Sequence, residues 1–173
     1  LVNVRGFGVL RGALFASGPF LAITLFCPLG GWATDRLVTR LGINRGRAYV
    51  GGTGMALSSL SILLGSVTEA PFLAIALLSL GAGWLYFTVG AYWSSTVDLS
   101  KEHAGTLSGL MNTGANLGGS LSPMLTPWLA EQAGWSAALG AAALAAFLGG
   151  LLWLKIKPGD GLVRPVANHA SSC

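Results

Sequence analysis

Charged positions along this 173-residue chain fall in clusters, and between the clusters lie five long stretches without a single Asp, Glu, Lys or Arg. They are Gly12–Thr34, Ala48–Thr68, Ala70–Val97, Ala104–Ala130 and Gln132–Leu154. The shortest holds 21 residues, and a helix rising ~1.5 Å per residue needs about 20 to cross the hydrocarbon core of a bilayer. Unpaired backbone groups cost several kcal/mol each in lipid, so helix is the conformation such stretches must take. The ~10-residue alternating segments of a transmembrane β-barrel are absent. The pattern predicts an all-α membrane protein with five transmembrane helices, at about 12–34, 48–68, 71–96, 105–130 and 134–154. Together these make one bundle over residues 1–157. The remaining segment, 158–173, contains Pro158, Gly159, Gly161 and Pro165 and reads as a disordered cytoplasmic tail.

Composition excludes a soluble globule. Hydrophobic residues make up 53%, charged residues 9%, and mean hydropathy is +0.66. Soluble domains carry charge on roughly a quarter of their residues, so the lipid bilayer must cover what water cannot. A net charge of +4 could attract nucleic acid, but the placement of the basic residues favours the membrane instead. Arg36, Arg40, Arg45 and Arg47 separate the first two stretches, Lys101 separates the third and fourth, and Lys155, Lys157 and Arg164 follow the fifth. The connections around Glu69 and Glu131 have no basic residue. Basic loops stay cytoplasmic, which puts the N-terminus of this chain outside a plasma or inner membrane and its C-terminus inside. Arg5 and Arg11 are the exceptions. Beginning at Leu1 rather than Met, with its N-terminus outside, the chain reads as one that lacks a preceding span. Cys27 and Cys173 read as free thiols.

The connection between the first two stretches, Gly30-Gly31-Trp32-Ala33-Thr34-Asp35-Arg36-Leu37-Val38-Thr39-Arg40, has the form G-x-x-x-D-R-x-x-x-R at the end of a hydrophobic helix. Gly31 allows a neighbouring helix to approach closely, and Asp35 can cap a helix N-terminus or pair with an Arg. The spacing resembles the signature loop of the major facilitator superfamily in its second-half copy, between helices eight and nine. Val38 and Thr39 depart from the usual Gly and basic residue there. Trp93-Ser94-Ser95-Thr96-Val97-Asp98, followed by Gly105-Thr106-Leu107-Ser108-Gly109-Leu110-Met111-Asn112 and Asn116-Leu117-Gly118-Gly119, is similar to helices ten and eleven of the anion:cation symporter branch. The resemblance implies helices eight to twelve of a C-terminal six-helix bundle, whose partners are a missing N-terminal bundle, a small organic anion and a coupling proton or sodium ion. It also implies that Gly31, Asp35, Arg36 and Arg40 form a conformational latch and that Trp93 and Asn112 face the solute.

The residues themselves point the same way for the fourth stretch. At 100° per residue Asn112, Asn116 and Pro123 fall within about 40° of one another, with Ser120 close by. An amide facing hydrocarbon is costly, so this stripe must face protein or a watery cavity. Packing alone is the competing reading, with Gly105/Gly109 and Gly114/Gly118 as small-xxx-small contacts. Asn112 and Asn116 are the amides, and Trp93 the aromatic wall, that could receive a hydroxylated or carboxylated solute. Pro19 and Pro28 in the first stretch, with Pro123 and Pro127 in the fourth, mark corresponding helices of two repeats.

Other chemistry finds little support. Ser108 has no intramembrane His or Lys to activate it, and two His and two Cys lie scattered without metal-ligand spacing. Neither an enzyme, a cofactor nor a metal is expected. The five charge-free stretches contain no acid, so a coupling carboxylate would lie in the missing half. The alternative to a transporter is a membrane scaffold, a subunit or an inactive truncated remnant.

Overall fold

The computed structural model describes Phe15 and residues 17–160. Arg5, Arg11 and Arg164, and the tail beyond Asp160, lie outside the described residues. The described chain is all-α, running as α1 (Gly18–Leu41), α2 (Ile43–Val67), α3 (Pro71–Phe87), α4 (Val89–Leu99), α5 (Ala104–Ala133) and α6 (Trp135–Trp153), with a final 3-10 turn at Pro158–Asp160. A helix accompanies each charge-free stretch, α3 and α4 sharing the third. Three candidate spans are long and apolar enough to cross a membrane: Ile43–Val67, Pro71–Leu99 and Trp135–Asp160. The other two, α1 and α5, are long enough but fall short of them in hydropathy over the described residues.

Three of the connections are single residues, and two of these are glycine elbows. Gly42 joins α1 to α2 at φ 81°, ψ 166°, and Gly134 joins α5 to α6 at φ 86°, ψ 161°. Each glycine donates its N–H to the carbonyl four residues back, Val38 and Ala130, at 2.9 Å. Each carbonyl then accepts the first bond of the next helix, from Gly46 and Ala138. A side chain is strained at such positive φ, so the elbow demands glycine. The two elbows share nearly the same backbone dihedrals.

The core is a seam of small residues. A Cβ placed on Gly30 of α1 would sit 2.6 Å from the Phe87 carbonyl carbon, and one on Gly51 of α2 would sit 2.5 Å from the Trp153 ring. Helices so close gain dispersion contacts along their backbones, which is how membrane helices associate without a hydrophobic drive. Thr88 is fully buried in the middle of this seam. Its backbone N–H and Oγ1 both bond the Leu85 carbonyl, at 3.2 and 2.7 Å, in place of the regular helical partner. This back-bonding tightens the turn and divides α3 from α4. Around it pack Val50, Met55, Ala91 and Trp153. Phe26, Trp84 and Phe87 stack edge to face, as do Tyr92 and Trp153.

The structure also differs from the expectation of a disordered segment from residue 158 onward. Pro158 is buried, and the turn it begins packs on the ends of α2 and α4. Asn44 fixes it twice: its Nδ2 donates to Asp160 Oδ1 at 2.8 Å, and its Oδ1 accepts the Gly159 N–H at 2.6 Å. A composition rich in Pro and Gly describes a segment without its own core, but cannot reveal an amide waiting on another helix.

Candidate solute-facing site

Among the six helices, α5 stands apart because it has no buried residue. Its main contacts among the described residues are with α6 and α4. Asn112 and Asn116 are exposed along it, with Thr113 and Ser120. Asn116 Nδ2 donates to the Asn112 carbonyl at 2.9 Å, Ser120 Oγ to the Asn116 carbonyl at 2.8 Å and Thr113 Oγ1 to the Gly109 carbonyl at 2.9 Å. Those side chains are partly satisfied by their own helix. The Asn112 amide has no hydrogen-bond partner among the described residues, so its two donors and its acceptor are open. Pro123 and Pro127 lie inside the same helix and each withholds an N–H, leaving the carbonyl one turn back free to accept.

The glycines of α5 behave unlike those of the core. A Cβ at Gly105, Gly109, Gly114, Gly118 or Gly119 would meet nothing within 4 Å. Among the described residues, then, the small-xxx-small pairs pack against nothing. A face that is polar, glycine-rich and uncovered cannot be a lipid-facing face, because hydrocarbon does not satisfy amides.

Trp93 lies on α4, which meets α5 through a hydrogen bond between Thr96 Oγ1 and Ser108 Oγ at 2.8 Å. The two helices run in opposite directions, so one turn deeper into the bundle (~5.4 Å) Trp93 on α4 and Asn112 on α5 reach the same level. Trp93 is 47% exposed. The other aromatics of that segment divide cleanly: Trp84 and Tyr92 are packed in the core, and the Tyr92 hydroxyl contacts Met55 Sδ at 3.2 Å.

At the basic end of the bundle the motif residues are spread along the last turns of α1. Asp35, Arg36 and Arg40 are exposed, and the Arg36 guanidinium lies 5.9 Å from the Trp32 ring centre, within cation–π range. No ion pair forms between Asp35 and Arg36 or Arg40. Gly31 has open space beyond its Cα, while Gly90 of α4 approaches its backbone: a Cβ on Gly90 would lie 3.0 Å from Gly31 Cα. The close crossing with Phe87 belongs to Gly30.

The ion pair at this end joins Arg47 and Asp98, with Nη2 to Oδ2 at 2.5 Å. The Arg47 side chain is 9% exposed and that of Asp98 20%. Arg47 occupies the first turns of α2 and Asp98 the last turn of α4, so each charge sits at the helix end whose dipole disfavours it. Only a mutual pairing makes both placements tolerable. That misplacement is the signal in the sequence that could have exposed the pair. Arg47 Nε and Nη1 are buried without hydrogen-bond partners among the described residues, so the guanidinium retains capacity for another acceptor.

Apolar helices around one exposed helix with a polar stripe, and a cluster of charges at one end, are the features of an all-α membrane bundle. The chain belongs to the Major Facilitator Superfamily, whose sequence profile matches residues 12–170. It is 36% identical over 115 residues to a probable sulfoacetate transporter of Cupriavidus necator, covering 66% of this chain and 27% of that protein. It is 25% identical to a probable chloroplastic anion transporter of Oryza sativa subsp. japonica and 25% identical to a chloroplastic ascorbate transporter of Arabidopsis thaliana. Those two alignments cover 94% and 93% of this chain, and 28% and 30% of the relatives. The chain thus spans under a third of the length of the curated relatives it matches.

Proposed function

We propose that this chain supplies part of the C-terminal bundle of a secondary transporter for a small organic anion, with α5 and α4 lining the solute path. The observation that carries this reading is the uncovered polar stripe of α5, where an open amide at Asn112 and the unpacked Gly105, Gly109 and Gly119 on the same side require a polar or protein neighbour. A companion N-terminal bundle would close the path from the other side, and alternating access would follow from rocking one bundle on the other. Relatives named for sulfoacetate and ascorbate, and others named for anions, support a compact carboxylate or sulfonate as solute. Asn112 would donate to an anionic or hydroxyl oxygen while Trp93 forms a wall with its own N–H donor. Asn116 extends the polar row one turn further.

The basic end carries the moving contacts on this reading. Asp35, Arg36 and Arg40 lie free to engage the companion bundle, Gly31 lies on the α1–α4 crossing, and the Arg47–Asp98 pair holds α2 to α4 behind them. Coupling to a proton or sodium ion would draw on a carboxylate in the companion bundle. The orientation set by the basic residues places this end in the cytoplasm, with the plasma or inner membrane as the site.

Uptake of labelled sulfoacetate and ascorbate by cells expressing the native polypeptide that carries this chain tests the proposal. Asn112→Leu is expected to reduce uptake more than tenfold while leaving membrane insertion intact; unimpaired uptake would refute the site. An antibody to Asn168–Cys173 measures the size of that polypeptide. A native product of 17.7 kDa would make the chain a subunit or remnant, because a single copy lacks a second bundle.

A further inference from the structure

Between α2 and α6 lies a groove of about 280 Å³, lined by Tyr49, Gly52, Ala56, Phe147, Gly150 and Leu151 among others. Its walls are apolar throughout. It lies in the N-terminal half of α2 and the C-terminal half of α6, and therefore in the half of the bundle nearest the basic end. Gly52 and Gly150 form its floor: a Cβ on Gly52 would be 3.7 Å from the Gly150 carbonyl oxygen, ordinary contact rather than a clash.

Both walls end in a cation. On α2, Arg45, Tyr49, Gly52 and Ala56 fall within about 60° at 100° per residue, so Arg45 continues the groove's line one turn toward water. On the other wall Lys155 follows Leu154 and lies one turn past Leu151. Arg45 and Lys155 are exposed, and neither has an ion-pair partner among the described residues. An apolar slot with two uncompensated cations at its aqueous lip is the complement of one molecule class: an apolar chain bearing an anionic head. A second copy of this chain fits poorly, because a twofold contact across the groove would bring each Arg45 and Lys155 against their own equivalents.

We propose that this groove is a binding site for an anionic phospholipid, with an acyl chain between α2 and α6 and the phosphate between Arg45 and Lys155. The proposal needs only a bilayer around the bundle and is independent of the solute. Basic pockets between transmembrane helices are where acidic lipid heads collect, and each cation near such a head strengthens binding measurably.

The protein carrying this chain, reconstituted in vesicles of equimolar phosphatidylglycerol and phosphatidylcholine and released into native mass spectrometry, gives the test. Phosphatidylglycerol should remain bound in preference to phosphatidylcholine. Arg45→Ala and Lys155→Ala should each weaken that preference about fivefold, and both positions are exposed, so the fold is not at stake. Gly52→Leu should displace both lipids by filling the slot. Equal retention of the two lipids by the parent protein would overturn the proposal, as would retention unchanged by all three substitutions. A lipid-free dimer would assign the groove to a second copy.

Discussion

Replacing Gly30 by alanine isolates the close crossing on which the helical seam depends. The added Cβ would lie 2.6 Å from the Phe87 carbonyl carbon and 2.7 Å from Phe87 Cα, where ordinary contact begins at 3.4 Å. Helix α1 must therefore retreat by close to 1 Å or more, and the obstacle is backbone, which cannot rotate aside. Overpacking of this kind costs about 1–3 kcal/mol. At roughly 2–4 °C per kcal/mol for a chain of this size, the melting temperature should fall by about 2–12 °C. Gly31→Ala is the internal control, because its Cβ would meet nothing within 4 Å, and it should change stability by less than about 0.5 kcal/mol. Both variants are measured by thermal unfolding of detergent-solubilised protein followed by size-exclusion chromatography. Equal melting temperatures for the two variants would refute the assignment of the crossing to Gly30.

Three further outcomes are expected. Arg47→Met alone leaves Asp98 unpaired in a largely buried setting and should cost about 3–5 kcal/mol, whereas Arg47→Met with Asp98→Leu should recover most of the loss; thermal melts of the single and double variants decide it. Asn44→Ala removes both hydrogen bonds to the Pro158–Asp160 turn, at roughly 1 kcal/mol each, and should speed amide hydrogen exchange at Gly159 without altering exchange in α6. Gly109→Leu meets open space, so the melting temperature of this chain should stay the same or rise slightly as a poor helix former is replaced. Uptake by the full transporter should nevertheless fall, since the leucine would project from α5's uncovered face.

The five helices could be read from the sequence because lipid imposes a constraint that does not depend on tertiary contacts: twenty residues without charge. Helix ends were less legible. The Asp35–Arg47 segment resembles a loop by charge, yet α1 runs on to Leu41 and α2 starts at Ile43, because a helix can leave the membrane without unwinding. The polar stripe of α5 was visible from its spacing. That its glycines pack against nothing was not, since the same G-x-x-x-G spacing serves a helix contact equally well. Between Gly30 and Gly31, sequence offers no basis for choice: adjacent residues differ by 100° of rotation, and only the position of α3 and α4 decides which one faces Phe87. Arg47 and Asp98 each stand at a helix end that disfavours their charge, which signals that each needs a partner, but they are far apart in the chain and only the fold shows that they meet.

The one-residue elbows at Gly42 and Gly134 have a mechanical consequence. With a single residue between helices there is no slack, so a tilt or rotation of one helix is delivered to the next. Gly134 couples α5, which carries Asn112, to α6; Gly42 couples α1, which carries Asp35 and Arg36, to α2. Because α2 and α6 are the two walls of the groove, a swing of α1 or α5 is passed through its elbow to a wall of that slot. Such leverage is reciprocal: whatever occupies the slot resists or assists the swing of α1 and α5.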